Sequence, residues 1–513
     1  MIASGEHPIA APGNTHRAFV LAASLGLLNV LAFAPLAWAP LSWLSVGGLF
    51  VLALRTPNWR RAAQLGGLWG LTFFLGGVSW VFVSLSNFGG MPAALAAVAT
   101  LLFCAYLALF PAAVAAVFRE LARGNAVLAA LSFGGLWAGA EWLRGTLLTG
   151  FPWLALGYAQ LPDAGSPFAW FAPVLGVYGV SAVTATSSAL LAIVFLHWQE
   201  KRQLLRTPVV LLALLVATAF WCAHTKFTDT INAPLRVALL QGNVAQDEKW
   251  SSEQYAATLR NYYELMRDHP ATLTVLPETA LPTYLNRLPK EYIDALTALA
   301  RRESAQGAVL AGVIVGDDTR YVNGLVRLGS SPLVGYAKSH LVPFGEMVPP
   351  GFDWFMKMMQ MPMAGFTSGG VQQPLLHIAH QWIAANICYE DVFGEEIAQA
   401  VMTAPRATML INVSNTAWFG RSWAQPQHLQ IARLRAMETG RPMLRATNTG
   451  MTAAIGPDGK VLAQLTPFTR GALVVDIDGS EGFTPFLRWG NTLALWLALV
   501  LIAPALVLRL KSR

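Results

Sequence analysis

Eight apolar runs flank one long polar stretch, and this pattern constrains the chain more than any other feature. The runs fall near 17–37, 40–56, 63–84, 91–118, 126–146, 168–197 and 207–223, with a last one at 490–509. A helix that crosses a hydrocarbon core needs roughly 20 such residues. Between the seventh and eighth runs, over 235–485, Asp, Glu, Lys and Arg return at ordinary globular density, with room for a core of its own. The expected organisation is a bundle of seven spans over 1–225, a globular segment over 226–485, and a terminal span with its tail over 486–513. Only 12% of the residues are charged, against about 25% in a typical soluble domain, which excludes an ordinary soluble protein. The net charge of +7 does not point to nucleic acid, because the basic residues sit in short clusters between apolar runs instead of on one face.

Those clusters set an orientation. Arg55, Arg60 and Arg61, then Arg119 and Arg123, then Lys201, Arg202 and Arg206, and finally Arg509, Lys511 and Arg513 all fall on one side of the expected topology. Cytoplasmic loops carry the excess of Lys and Arg, so both termini are expected in the cytoplasm and the globular segment outside it. Arg144 is the main exception. The first run contains small-x-small sites at Ala32 and Ala34 and at Ala37 and Ala39, a pattern that signal peptidase reads. Pro35 and Pro40 follow them directly, and the run is read as a retained anchor.

Within the globular segment, short apolar strands alternate with amphipathic helices. Strands are expected at 235–243, 272–278, 308–315, 322–328, 333–338, 382–387 and 407–413, and helices at 252–268 and 291–303. The Asp-Gly of "IGPDGKV" (455–461) signals a hairpin. This is the pattern of a layered α/β domain. Cys104 and Cys222 lie inside apolar runs and read as small apolar residues. Cys388 alone belongs to the outward segment, where an unpaired cysteine is a candidate reactive thiol. Its neighbours Glu390 and Asp391 disfavour a thiolate, so a reactive Cys388 requires an activating group elsewhere.

Polar residues stand where the strands end: Glu278 after "TLTVLP", Lys338 after "LVGYA" and Cys388 after "WIAANI". "LPET" (276–279), "YAKSHLVPFGE" (336–346), "NICYED" (386–391) and "NVSNTAWFG" (412–420) resemble the Glu–Lys–Cys motifs of the nitrilase, or carbon-nitrogen hydrolase, superfamily. With apolar flanks on both sides, the chain resembles most closely the apolipoprotein N-acyltransferase family. The resemblance implies a membrane protein with an eight-transmembrane-helix bundle and an α-β-β-α nitrilase-like sandwich, in the bacterial inner membrane, multi-pass, with the catalytic domain periplasmic. It implies transfer of an acyl chain from a phospholipid, typically phosphatidylethanolamine, to the α-amino group of a diacylglyceryl apolipoprotein. No cofactor, metal or nucleic acid is implied. Glu278, Lys338 and Cys388 take the triad positions, and Trp250, Glu346, Tyr389 and Glu390 take supporting ones.

The residue types suit that chemistry. A thiol of ordinary pKa is only a few per cent thiolate at neutral pH, so Glu278 is the expected base, with the Lys338 cation beside the developing oxyanion. Several readings stay open at this stage. Glu346 and Glu390 are supporting groups or solvated acids, and Trp250 is functional or plain core. Glu141 and Arg144 are a functional pair or an interfacial ion pair. The Met-rich segment 351–366 is an acyl-admitting arm or a buried helix, with Pro349, Pro350 and Pro362 against one continuous helix. The competing functions are a membrane-tethered amidase, which would share the triad, and a transporter or sensor, which would carry more charge along its spans.

Overall fold

A computed structural model describes residues 15–122, 124–331, 333, 335–348, 351 and 365–511. Most of the Met-rich segment expected to form an arm lies outside the described residues. The chain forms two compact units, one made of Met1–Ser79, Ala97–Thr225 and Asn491–Arg513, the other of Trp80–Ala96 and Lys226–Gly490.

The first unit is helical. Five helices among the described residues are long and apolar enough to cross a membrane: Ala93–Leu121, Ala126–Arg144, Phe168–Lys201, Arg206–His224 and Thr492–Lys511. A sixth is reached if the bent pair Trp59–Val78 and Val81–Phe88 is counted as one span. The described part of the first apolar run is a 16-residue helix, Thr15–Val30, and the second is the 15-residue Pro40–Leu54. Between them the turn-rich stretch 31–39 contains Pro35, and Pro40 opens the next helix in its first turn, where proline is tolerated. The expected third run also stops early. Its helix ends at Val78, and Trp80 goes to the second unit, where its ring packs edge-on against Phe419 at 4.6 Å and its indole N–H donates to Gln427 at 3.3 Å.

Glu141 and Arg144 are both buried and serve the loop that follows their helix. Glu141 accepts from the Trp137 indole N–H at 2.9 Å and the Leu156 amide at 2.8 Å. Arg144 donates to the carbonyls of Phe151 and Trp153 at 2.7 and 2.6 Å. Through these bonds the two side chains fasten segment 151–156 to the helix end. Cys104 and Cys222 are buried, as expected of small apolar residues.

Among the described residues, the second unit holds thirteen strands in two sheets. One sheet runs in the order β13 (Gly471–Gly482), β1 (Thr228–Gln241), β2 (Leu273–Val275), β4 (Ala308–Gly316), β5 (Tyr321–Arg327), β6 (Gly335–Ala337), with β3 (Leu281–Tyr284) also on β4. The other runs β12 (Val461–Gln464), β11 (Ala453–Ile455), β10 (Met443–Thr447), β9 (Met409–Ser414), β8 (Gln381–Ile387), β7 (Leu376–Ile378). Alternation along each strand builds the layers, because successive side chains point to opposite faces. Leu235, Val237 and Leu239 of β1 join Ile383 and Ile387 of β8 and Met409, Ile411 and Val413 of β9 in the core between the sheets. Ala238 and Leu240 face the helices Ser252–Asp268 and Lys290–Glu303. Leu410 and Met443 face Gly394–Met402 and Ala424–Thr439. The result is the α-β-β-α order that the resemblance implies. The hairpin at 455–461 joins β11 to β12, with Gly459 at φ +77°.

Candidate active site

β1, β2 and β4 run parallel in one sheet, and β8, β9 and β10 in the other. Their carboxyl ends deliver the polar residues, as such ends commonly do in α/β folds. Glu278 sits in the turn between β2 and β3. That turn lies against β4 at Gly312, where an added Cβ would come within 2.2 Å of the Pro277 carbonyl oxygen and 2.7 Å of the Glu278 Cα. Glycine is required there by space alone. Gly312→Ala is expected to displace Glu278 and to cost about 1–3 kcal/mol, as overpacking of a tight interior does. Thermal unfolding and catalytic rate, measured on one preparation, would check this, with the rate falling by more than the stability loss explains.

Lys338 follows β6 and is 1% exposed. Its ammonium lies 2.8 and 2.9 Å from the two oxygens of Glu346 and 3.5 Å from Oε1 of Glu278. Asn323, midway along β5, bridges the acids by donating to Glu278 Oε1 at 2.8 Å and to Glu346 Oε1 at 3.1 Å. The Asn415 amide, just past β9, donates to Glu278 Oε2 at 2.7 Å. Burial pushes the Glu278 carboxyl up, but Lys338, these hydrogen bonds and Lys249 outweigh it, and the net direction is down. Burial alone would lower Lys338, yet Glu346 and Glu278 hold it well above the ordinary lysine value. Glu278 is therefore an anion and Lys338 a cation at neutral pH.

Cys388 begins the turn after β8 with φ +55°, left-handed backbone that costs a side-chain-bearing residue about 1–2 kcal/mol. Asn412 holds this conformation by donating to the Cys388 carbonyl at 3.1 Å. Glu390 holds it from the other side, through the Ile387 amide at 2.6 Å. Burial, and then the Glu278 charge, push the Cys388 thiol up to about 12, against the pull of Lys338. The resting group is a neutral thiol.

Glu390 is 2% exposed and Glu346 is largely buried, so neither is a solvated acid. Glu390 accepts from the Tyr336 hydroxyl at 2.9 Å, from the amides of Ser339 and His340 at 2.6 and 2.9 Å, and from Ile387. It thereby joins the segment carrying Lys338 to the turn carrying Cys388. The Tyr389 ring packs beside aromatic neighbours, 5.2 Å from the Phe393 ring and 6.1 Å from His340. Trp250 is 41% exposed, which rules out plain core, and it stands beside the buried Lys249.

Several members of the site were not singled out from the sequence. Lys249, Asn323, Tyr336 and Asn415 each contact a triad residue or its support. A buried network of Asp391, His428 and Arg445 lies beneath the Cys388 turn. Asp391 accepts from His428 Nε2 and from Arg445 at 2.6 Å each, and Arg445 donates to His428 Nδ1 at 2.6 Å. Burial and Arg445 hold the His428 pKa down, so the ring is neutral and its Nε2 carries the proton. The sequence signal for these residues was their place in the motifs: Lys249 in "DEKW", Asn415 in "NVSNTAWFG" and Asp391 in "NICYED".

Residues 25–190 match the family described as apolipoprotein N-acyltransferase N-terminal domain, and residues 236–484 match carbon-nitrogen hydrolase. A protein named apolipoprotein N-acyltransferase from Ralstonia nicotianae is 45% identical over 96% of this chain and 94% of its own. The chain belongs to the apolipoprotein N-acyltransferase family. A relative of that name from Nitrosomonas europaea is 43% identical over 96% of this chain and 98% of its own, and one from Chromobacterium violaceum is 42% identical over 92% and 90%. A carbon-nitrogen hydrolase from Helicobacter pylori aligns over 48% of this chain and 89% of its own with a TM-score of 0.36 and 18% identity. As a family member the chain is an acyltransferase of lipoprotein maturation, with a lipid acyl donor and a lipoprotein acceptor.

Proposed function

We propose that Glu278, Lys338 and Cys388 carry the acyl transfer in two half-reactions through a thioester on Cys388. In the first, Glu278 takes the thiol proton as the sulfur attacks an ester carbonyl of the phospholipid. The Lys338 ammonium donates to the developing oxyanion. Collapse breaks the ester bond, and the lysophospholipid alkoxide leaves with the proton from Glu278. In the second, the α-amino group of the diacylglyceryl cysteine attacks the thioester. With a pKa near 8, about a tenth of it is already neutral at pH 7. Its proton passes to Glu278, the C–S bond breaks, and the thiol returns as an amide forms. The two steps share one site in turn, which gives ping-pong kinetics.

The observation that carries this reading is the meeting of a carboxylate held ionised, an ammonium and a neutral thiol at three strand ends. A thiol pushed up to about 12 needs a base at the moment of attack, and Glu278 is an anion made ready for that role. Glu346 holds Lys338, Glu390 holds the Cys388 turn, and Trp250 and Tyr389 are proposed to line the approach of the substrates. Phosphatidylethanolamine is the proposed donor. The domains are proposed as seven spans over 1–225, the catalytic domain over 226–485 on the periplasmic side, and the eighth span with its tail over 486–513. Both termini are then in the cytoplasm. The scatter of Lys and Arg along the sequence supports that topology.

The test is incubation of the purified full-length protein with phosphatidylethanolamine radiolabelled in its acyl chain. Label is expected on Cys388 as a hydroxylamine-labile thioester, absent in Cys388→Ala and discharged by a diacylglyceryl peptide with a free amine. Absence of any lipid-derived thioester, with turnover of small amides instead, would overturn the reading in favour of a tethered amidase.

A further inference from the structure

Among the described residues, one more ammonium besides Lys338 is buried at this site. Lys249 is 2% exposed, and its Nζ donates to the Glu278 carbonyl at 3.2 Å and to the Thr279 hydroxyl at 2.5 Å. Thr279 has φ +44°, a conformation that is an outlier for a β-branched residue. The carboxylate-bearing turn is thus strained just where Lys249 grips it. The segment that carries Lys249 is itself tied down. Val244 and Asn448 exchange two hydrogen bonds, at 3.0 and 2.8 Å, and the Gln246 side chain accepts from Asn415 at 2.7 Å. Asn415 is the residue whose amide holds Glu278 Oε2.

We infer that Lys249 is a positioning residue of the acyl-transfer site, a second ammonium that pins the Glu278 turn and balances charge in the buried pocket. The inference rests on the proposed function, and the charges show why a second cation is needed. With both lysines protonated, Lys338 and Lys249 offset Glu278 and Glu346, and the thiol is neutral. When the proton moves from Cys388 to Glu278 and the oxyanion forms, the total remains zero. Without the Lys249 charge these groups carry one more net negative charge in a medium where charge is poorly screened. Among the described residues, the titratable groups that face Lys249 are Glu278, from the turn after β2, and Cys388, from the turn after β8. Burial lowers Lys249 to about 8, against the pull of the Glu278 carboxylate, so the ammonium is lost as pH rises through that value.

The experiment is single-turnover acylation of Cys388 in the full-length protein, with phosphatidylethanolamine bearing a fluorescent acyl chain in mixed micelles, from pH 5 to 10. In the native protein the rate is expected to fall above about pH 8, where Lys249 becomes neutral. Lys249→Met is expected to acylate about a hundredfold more slowly. Its acidic limb should move up by about one pH unit, because Glu278 loses a neighbouring cation. Lys249→Arg keeps the charge at every pH used. It is expected to stay within about tenfold of the native rate and to lose the fall above pH 8. Thermal unfolding of each variant separates packing from charge, and if Lys249→Met fails to fold, the alkaline limb of Lys249→Arg still decides. A native rate and profile in Lys249→Met would overturn the inference. So would equal slowing of both variants with profiles of native shape, which marks a purely structural residue. A native protein that takes no label on Cys388 would instead overturn the proposed function and the inference with it.

Discussion

Glu278→Gln is expected to slow acylation of Cys388 by about a thousandfold at pH 7, within the range of roughly 10²–10⁴ that a positioned base contributes. The size of the effect follows from the thiol. With its pKa at about 12, only about one molecule in 10⁵ holds a thiolate at pH 7, so nearly every productive attack must shed its proton in the same step. Glutamine accepts no proton from sulfur. It also has one carbonyl oxygen where Glu278 has two acceptors, for Asn323 and for the Asn415 amide, so some stability is lost as well. The pH profile separates the two effects. In the variant, rate should climb about tenfold per pH unit as the thiolate fraction grows. The native enzyme, with its base already ionised, should stay level from neutrality to about pH 8. A flat profile in Glu278→Gln would mean that the loss came from structure, and another residue would then be the base.

The sequence made the layered sheets legible because β1, β4 and β9 sit between two apolar surfaces and read as near-continuous hydrophobic runs. The short partners β3, β7 and β10 did not stand out. Each spans three to five residues, too few for a period to emerge. β13 escaped for another reason: its twelve residues include two aspartates, a glutamate and three glycines, and only its pairing with β1 over 228–241 makes it a strand. In the apolar half, hydropathy marked where the chain avoids water but not where a helix ends, as at Val78 and in the Pro-bearing turn 31–39. At the site, the triad was legible as motif residues. Lys249 and His428 were not, since a lone lysine beside a tryptophan and a histidine within a helix look like surface residues until the fold buries them.

Glu390 shows how far such a residue can be understood from geometry, and Glu390→Gln is the second large effect expected. All of the acceptor capacity of its carboxylate faces donors: Ser339 and His340 amides and Tyr336 on one oxygen, Ile387 amide and Tyr336 on the other. An amide must turn its NH₂ toward one set. The cheaper orientation surrenders the single Ile387 amide and keeps the two from the Lys338 side, because each buried donor left unpaired costs about 1–3 kcal/mol. The Ile387 amide is the one that closes the Cys388 turn. The variant should therefore lose about 2 kcal/mol of stability and about a hundredfold in acylation, since a displacement of about 1 Å is enough for that. Tyr336→Phe removes a donor without unpairing either amide set and should leave the rate within about tenfold of native. The pH dependence of stability gives a separate reading. Burial raises the Glu390 carboxyl to about 7, above its ordinary value of about 4.3. Folding therefore favours the protonated form. That contribution is complete below about pH 4.3 and is lost as pH rises through about 7. A glutamine at this position does not ionise, so the melting temperature of Glu390→Gln should decline less steeply between pH 5 and 8 than that of the native protein. Native acylation together with an unchanged slope would show that Glu390 only borders the cysteine. Slower acylation with a flatter slope would show that it is the strut on which the nucleophile turns.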